Sequence, residues 1–379
     1  MPDYRGKTLM VYPYTREFTP ALSWLARQGG EGPNRLLPVA FPGAGLGGHD
    51  AGYADDSRPV GLEVSDDFET ALQEAEALLI PEGTYAGAAR PLLMHALRRG
   101  AETGKEVYCA ASLTAEEKAA VFAPFEKKTS RLTDLTAPRP GDRLQDVLPE
   151  GRCDLRPPAV PVVLVGELYP GLAPSDALLC LDSAFRRDGY RTAAVLPPPL
   201  GAALGLDQLP DFFLDPSVDE ESKIYGMNAW MRRLEDERKP DVILIQCPGA
   251  MMRYNDEFPN GFGLKAFLLC QAFSPDCVVT AVPCDRVESL FYRELERDFS
   301  YRFGRAAGAF VMSNRMLDTL DTHERRCFTY HYLPPEIPVR EVENRRREEA
   351  DLPVFHLAEW EQQWGAEALY THVRTVLGG

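Results

Sequence analysis

The sequence predicts an α/β protein of two doubly wound domains with mainly parallel sheets, the second P-loop-NTPase-like with a degenerate phosphate loop. Three observations predict it. The chain has 379 residues, too many for one hydrophobic core of usual size, so two domains of roughly 150 to 200 residues are expected. Short β-rich apolar runs alternate along it with helical patterns, the rhythm of parallel strands joined by crossover helices. An apolar run at 160–166 then leads through a glycine-bearing loop into a helix pattern, the local order of a phosphate-binding loop.

In residues 1–132, strands are expected at Thr8 to Tyr12, Leu36 to Phe41, Ala77 to Pro81 and Glu106 to Ala110. Ser65 stands where a helix cap belongs, ahead of DDFETALQEAEA, with Asp66, Asp67 and Glu69 near the positive end of that helix. Thr114 and Glu117 form a capping-box pattern ahead of KAAVFAPF. These elements predict a Rossmann- or flavodoxin-like domain. Residues 133–159, rich in Pro, Arg, Asp and Gly and without sustained periodicity, read as a linker.

The second domain, 160–379, opens with the strand Val160 to Gly166 and the helix SDALLCLDSAFRRDG, which stops at Gly189. TAAVLP is the next strand. A helix over Glu220 to Arg238 places Ile224, Met227, Met231 and Leu234 on one apolar stripe, and Pro240 ends it. DVILIQC, Val278 to Val282, Ala309 to Met312 and Pro353 to His356 are further strands, and the tail from Ala358 is a closing amphipathic helix.

Composition narrows the function classes. Against 41 basic residues stand 57 acidic ones, a formal charge of −16, which repels nucleic acid and the anionic face of a membrane. No apolar run approaches the ~20 residues of a spanning helix, and the N-terminus lacks a signal-peptide pattern. A cytoplasmic location is expected. The eight cysteines include no CxxC pair, so buried reduced thiols are expected, with no disulfide and no metal site.

Three loops are candidates for chemistry. In VAFPGAGLGGHDAGYADD, Gly43, Gly45 and Gly48 fit G-x-G-x-x-G after a strand, although the polar residues that follow do not promise a helix, so a substrate-covering loop fits better than a dinucleotide cradle. The same loop gathers His49, Asp50, Tyr53 and Asp55, the candidate catalytic residues, since acid and base side chains at the carboxyl end of a strand suit proton transfer. A solvated Asp/Gly turn is the competing reading.

The second loop is VVLVGELYPGLAPSDALL. Gly166 and Gly171 have the spacing of G-x-x-x-x-G, but Leu172 and Ala173 stand where the phosphate-binding lysine and the magnesium-binding hydroxyl belong. Hydrolysis of ATP is therefore not expected. Gly166, Glu167, Gly171 and Ser175 remain candidates for phosphate or ligand binding at the helix N-terminus. The third loop follows DVILIQC, where Pro248, Gly249, Asn255 and Asn260 could line a shared cleft, or simply form a tight Pro-Gly turn. A nucleotide is the one cofactor left open.

The segments YPYTREFTP, PGAGLGGHDAGYADDSRPVGLEVSDDFETAL, KIYGMNAWMRRLEDERKPDVILIQCPGAM and NDEFPNGFG resemble a clostridial-type family of peptide maturation system proteins. Its members are encoded beside radical SAM peptide maturases and small cysteine-rich precursor peptides. The likeness runs over roughly residues 8 to 335 and is most specific in GHDAGYAD and PDVILIQCPG. It carries over no catalytic residue. It implies an accessory protein of a ribosomally synthesised, post-translationally modified peptide pathway, binding a maturase, precursor peptide or carrier, with the radical chemistry belonging to the neighbouring enzyme. The alternative is a nucleotide-dependent ligase or transferase with its site between the two domains.

Overall fold

The computed structural model describes residues 2–57, 59–83, 85–122, 132–139, 141–148, 154–304, 308–357 and 364–378. The chain divides into two compact units, residues 1–137 with 198–208, and residues 138–197 with 209–379. The fold is α/β, and each unit is built on a parallel sheet.

The first unit contains β1 (Thr8–Val11), α1 (Thr19–Ala26), β2 (Arg35–Pro38), α2 (Phe68–Glu74), β3 (Ala77–Ile80), α3 (Ala89–Glu102), β4 (Glu106–Cys109), α4 (Ala115–Phe122) and β5 (Leu132–Asp134). Its sheet has the order β2-β1-β3-β4-β5, with every neighbouring pair parallel. This is the flavodoxin-type order, whose direction of winding reverses between β1 and β3. β3 is buried along its whole length, which is why it reads as a continuous apolar run. Leu78, Ile80, Leu93, Leu97 and Val107 join its core. The capping box forms as expected: Glu117 Oε2 accepts from the Thr114 amide at 2.8 Å and Thr114 Oγ1 accepts from the Glu117 amide at 3.2 Å.

Two expectations need correction here. The cap of α2 is Asp67, which accepts from the Thr70 amide, while Ser65 accepts from the Asp67 amide and so shapes the approach. The segment 133–159 is not a bare linker. Leu132–Asp134 pairs with β4 as a fifth strand, closed by an Asp134 carboxylate that takes the Thr136 amide and the Lys118 ammonium. Later, α5 (Leu144–Val147) lays Leu144 and Val147 against the core of the second unit. Residues 198–208, with α7 (Leu200–Leu204) and β8 (Asp207–Gln208), return to the first unit, where the buried Tyr4 hydroxyl donates to the Ala203 carbonyl.

The second unit adds β6 (Val162–Glu167), α6 (Pro174–Arg187), β7 (Thr192–Leu196), α8 (Asp211–Leu214), α9 (Glu220–Arg238), β9 (Val242–Ala250), α10 (Leu264–Phe273), β10 (Cys277–Val282), α11 (Ser289–Phe303) and β11 (Ala309–Met312). A hairpin of β12 (Arg315–Leu317) and β13 (Tyr330–Tyr332) encloses α12 (Thr319–Arg325). α13 (Glu336–Glu348), β14 (Val354–His356) and α14 (Ala366–Val376) complete it. Within this unit the strands run in the order β14-β11-β10-β6-β9-β7, all parallel. The chain winds from β6 towards β7, then resumes at β10 on the other side of β6. The carboxyl ends of β6 and β10 thus form the reversal point where open α/β sheets place their ligands. Met227, Met231 and Leu234 of α9 are buried, as the apolar stripe predicts, and Ile224 packs against the same core.

Cys109, Cys180, Cys247, Cys270, Cys277 and Cys284 are buried, and Cys327 is exposed. Cys153 lies outside the described residues. Among the described residues no helix is long and apolar enough to cross a membrane.

Candidate functional site

In the first unit, the glycine-rich loop after β2 leads into a short 3-10 turn, Ala51–Asp55, and not into an α-helix. Gly43, Gly45 and Gly48 all have positive φ, and a Cβ at each would meet open space. Glycine is needed there for backbone conformation. The dinucleotide-type match therefore builds no cradle.

Of the four candidate catalytic residues of that loop, Asp50 and Asp55 accept hydrogen bonds from the loop's own backbone. Asp50 caps the turn: its Oδ1 accepts from the amides of Gly52 at 2.8 Å and Val60 at 2.7 Å, and its Oδ2 from Gly61 at 2.7 Å. A carboxylate so engaged holds the loop. Asp55 is buried and accepts from the Ser57 amide. His49 stacks on Tyr53, centroids 4.4 Å apart and rings 15° from parallel, with Tyr53 56% exposed. These two remain on the surface.

The second unit presents a different arrangement. Glu167 ends β6 and is 9% exposed. Its Oε2 accepts from the amides of Gly171 at 3.0 Å and Leu172 at 2.9 Å. These are amides of the kind a phosphate loop turns towards its ligand. In this chain both donate to the protein's own Glu167 carboxylate. Two more side chains fasten the loop: the Arg315 guanidinium donates to the Gly171 carbonyl, and Tyr330 Oη donates to the Pro170 carbonyl at 2.7 Å. Arg315 is buried and lies over the Tyr332 ring, 5.1 Å from its centroid.

Around this knot the aromatic rings of Tyr169, Tyr254, Phe258 and Phe328 pack edge-on or stacked. Burial pushes the Glu167 carboxyl up to about 7, against the pull of the Leu172 and Gly171 amides and of Arg315. Burial likewise raises Asp285, just beyond β10, whose carboxylate accepts from the Leu317 amide.

The other expected loop residues are held by contacts of their own. Gly166 meets a packing requirement, since a Cβ would lie 2.4 Å from Met251 Sδ. Gly171 has φ +91°, with the Tyr330 ring 3.1 Å from where a Cβ would stand. Ser175 sits half-buried in the first turn of α6, one residue after Pro174.

Pro248 and Gly249 do not form a turn after β9, as a tight Pro-Gly reading would have it. They lie inside β9, where a register irregularity pairs Glu167 with Ala250. Asn255 accepts from the amides of Glu257 and Phe258, closing its own loop, and Asn260 donates to the Met252 carbonyl. Arg315 and Tyr330 were not legible as site residues. They are 144 and 160 positions away from the carbonyls they bind, and no local pattern marks them. Among the described residues no group of three or more His, Cys, Asp or Glu is placed to hold a metal ion.

No protein-family model matches the chain, and no curated protein does. Among solved structures it is similar to a DUF1611 family protein from Anabaena variabilis, with TM-score 0.59 and 12% identity, covering 98% of this chain and 100% of that one. Chloroplast FtsY from Physcomitrella patens matches at TM-score 0.35 and 14% identity over 76% of this chain and 83% of its own. The hydrogenase maturation factor HypB from Archaeoglobus fulgidus matches at 0.30 and 13% over 62% and 96%. The first likeness shows a shared α/β fold along the whole chain; the other two are too distant to carry an argument.

Proposed function

We propose that this chain is a cytoplasmic accessory protein of a peptide maturation system, which holds a radical SAM maturase, precursor peptide or carrier partner on a phosphate-loop-like scaffold that no longer turns over nucleotide. One observation carries the loss of turnover: Glu167 sits on the Gly171 and Leu172 amides, where an incoming phosphate would have to displace a buried carboxylate. The absence of the phosphate-binding lysine, with Leu172 and Ala173 at the diagnostic positions, supports it. The choice of pathway rests on the sequence resemblance.

Calorimetric titration with ATP, GTP and their diphosphates, with and without magnesium, tests the first half. The expected result is no binding by the wild-type chain, together with stable association with the maturase or precursor encoded beside its gene, measured by gel filtration of the purified components. Micromolar nucleotide binding that is lost on altering residues 166–175 would reject the scaffold reading in favour of a nucleotide-dependent ligase or transferase.

A further inference from the structure

We propose that Arg315 anchors a small-molecule site at the carboxyl ends of β6 and β10, which takes an organic carboxylate with an apolar or aromatic body. The inference goes beyond the accessory reading and does not depend on which pathway the chain serves.

The observation that carries it is a buried cation without an anion. Arg315 is 7% exposed, and among the described residues no carboxylate lies within ion-pairing distance of its guanidinium. The side chain makes one hydrogen bond, from Nη1 to the Gly171 carbonyl, and one ring contact, over Tyr332. A guanidinium has five N–H donors in a rigid fork, so the edge formed by Nε and Nη2 is left whole. No Arg315 nitrogen is among the fully enclosed atoms that lack a partner, and a solute can therefore reach that edge. Buried charges are paired as a rule, because an uncompensated one is strongly destabilising. The anion that completes this one comes from outside the chain.

The surroundings select the ligand. Glu167 is close enough for the Arg315 charge to favour its ionisation, yet it turns Oε2 to the Gly171 and Leu172 amides and makes no ion pair. One positive and one negative group so placed accommodate a single negative charge and disfavour a polyphosphate. Asp285, which acts on the neighbouring Tyr330, adds to that bias. A carboxylate has the planar, two-oxygen shape that pairs side-on with the free edge. Rings line the approach: Tyr332 lies under the guanidinium, Tyr330 stands against Gly171, and Phe328 stacks on Tyr330 with centroids 6.3 Å apart. A broad macromolecular face cannot reach a group enclosed to this degree, so the ligand is small.

The test is nuclear magnetic resonance on the full chain, with nitrogen-15 in arginine and glycine, following the Arg315 Nε–H and Gly171 amide signals. Benzoate, acetate and inorganic phosphate are titrated in turn, with chloride balancing the ionic strength. Benzoate should shift both signals saturably, with half-saturation at about 1 mM, and acetate, which lacks the ring, should need about tenfold more. Arg315→Lys keeps the charge and loses the fork. In that variant the Gly171 shift should require at least about tenfold more benzoate.

The absence of a saturable shift in the wild type up to about 50 mM benzoate, a result that needs no variant, overturns the site: water then serves the free edge. Equal shifts at exposed arginines such as Arg191 overturn it too, because the added anion is then only screening charge. Inorganic phosphate displacing benzoate more strongly than acetate does would overturn the assignment to a carboxylate.

Discussion

Two glycine-bearing loops leave the carboxyl ends of parallel strands in this molecule, and they solve opposite problems. The loop after β2 is open. Its three glycines supply positive φ in free space, and Asp50 spends its carboxylate on its own neighbours. The loop after β6 is closed. Gly166 and Gly171 stand against Met251 and Tyr330, and a buried carboxylate fills the centre. A glycine pattern thus reports what the backbone must do. Whether a ligand is received depends on what else reaches the amides.

The largest effect that sharpens this contrast is the pH dependence of stability. The folded chain holds the Glu167 proton more tightly than the unfolded chain, about 7 against an ordinary 4.5. The resulting stabilisation is complete below about 4.5 and is lost as pH rises through about 7. It amounts to about 3 kcal/mol. Denaturant melts across that window should show the decline, and Glu167→Gln should flatten this contribution. An unchanged slope in the variant would place the titration elsewhere.

Next in size is Asp50→Ala, which strands three amides and should cost about 2 kcal/mol in the first unit. His49→Ala, altering only an exposed ring stack, is its control, with stability changed by less than about 0.5 kcal/mol. If both variants melt like the wild type, the open loop is not held by Asp50. The smallest and most direct comparison sets Gly171→Ala beside Gly45→Ala. Positive φ alone should cost about 1 kcal/mol at Gly45. At Gly171 the added contact with Tyr330 should bring the loss to about 2 kcal/mol. Equal losses would mean that the closed loop yields as easily as the open one.

Much of the fold was legible because its signals are local. Val162 to Val165 and Val278 to Val282 read as strands since both faces of a central parallel strand are buried, and the Thr114–Glu117 box is spelled in four consecutive residues. Leu132–Asp134 escaped because three residues are too few for a periodic signal, and Pro248 misled because an in-strand proline is uncommon away from an irregularity. The site was half legible. Glu167 stood among the candidate ligand-binding residues, but Arg315 and Tyr330, which hold the Gly171 and Pro170 carbonyls of the same loop, are brought there only by the tertiary fold.

The return of residues 198–208 to the first unit has a consequence for how the protein is made. When the ribosome has released residue 137, the unit that begins the chain still lacks the Ala203 carbonyl that receives the Tyr4 hydroxyl. Its last pieces arrive only after β6, α6 and β7 have been synthesised. The two units are therefore not completed in the order in which they start, and a chain ending at Ala137 lacks the carbonyl that accepts from the Tyr4 hydroxyl.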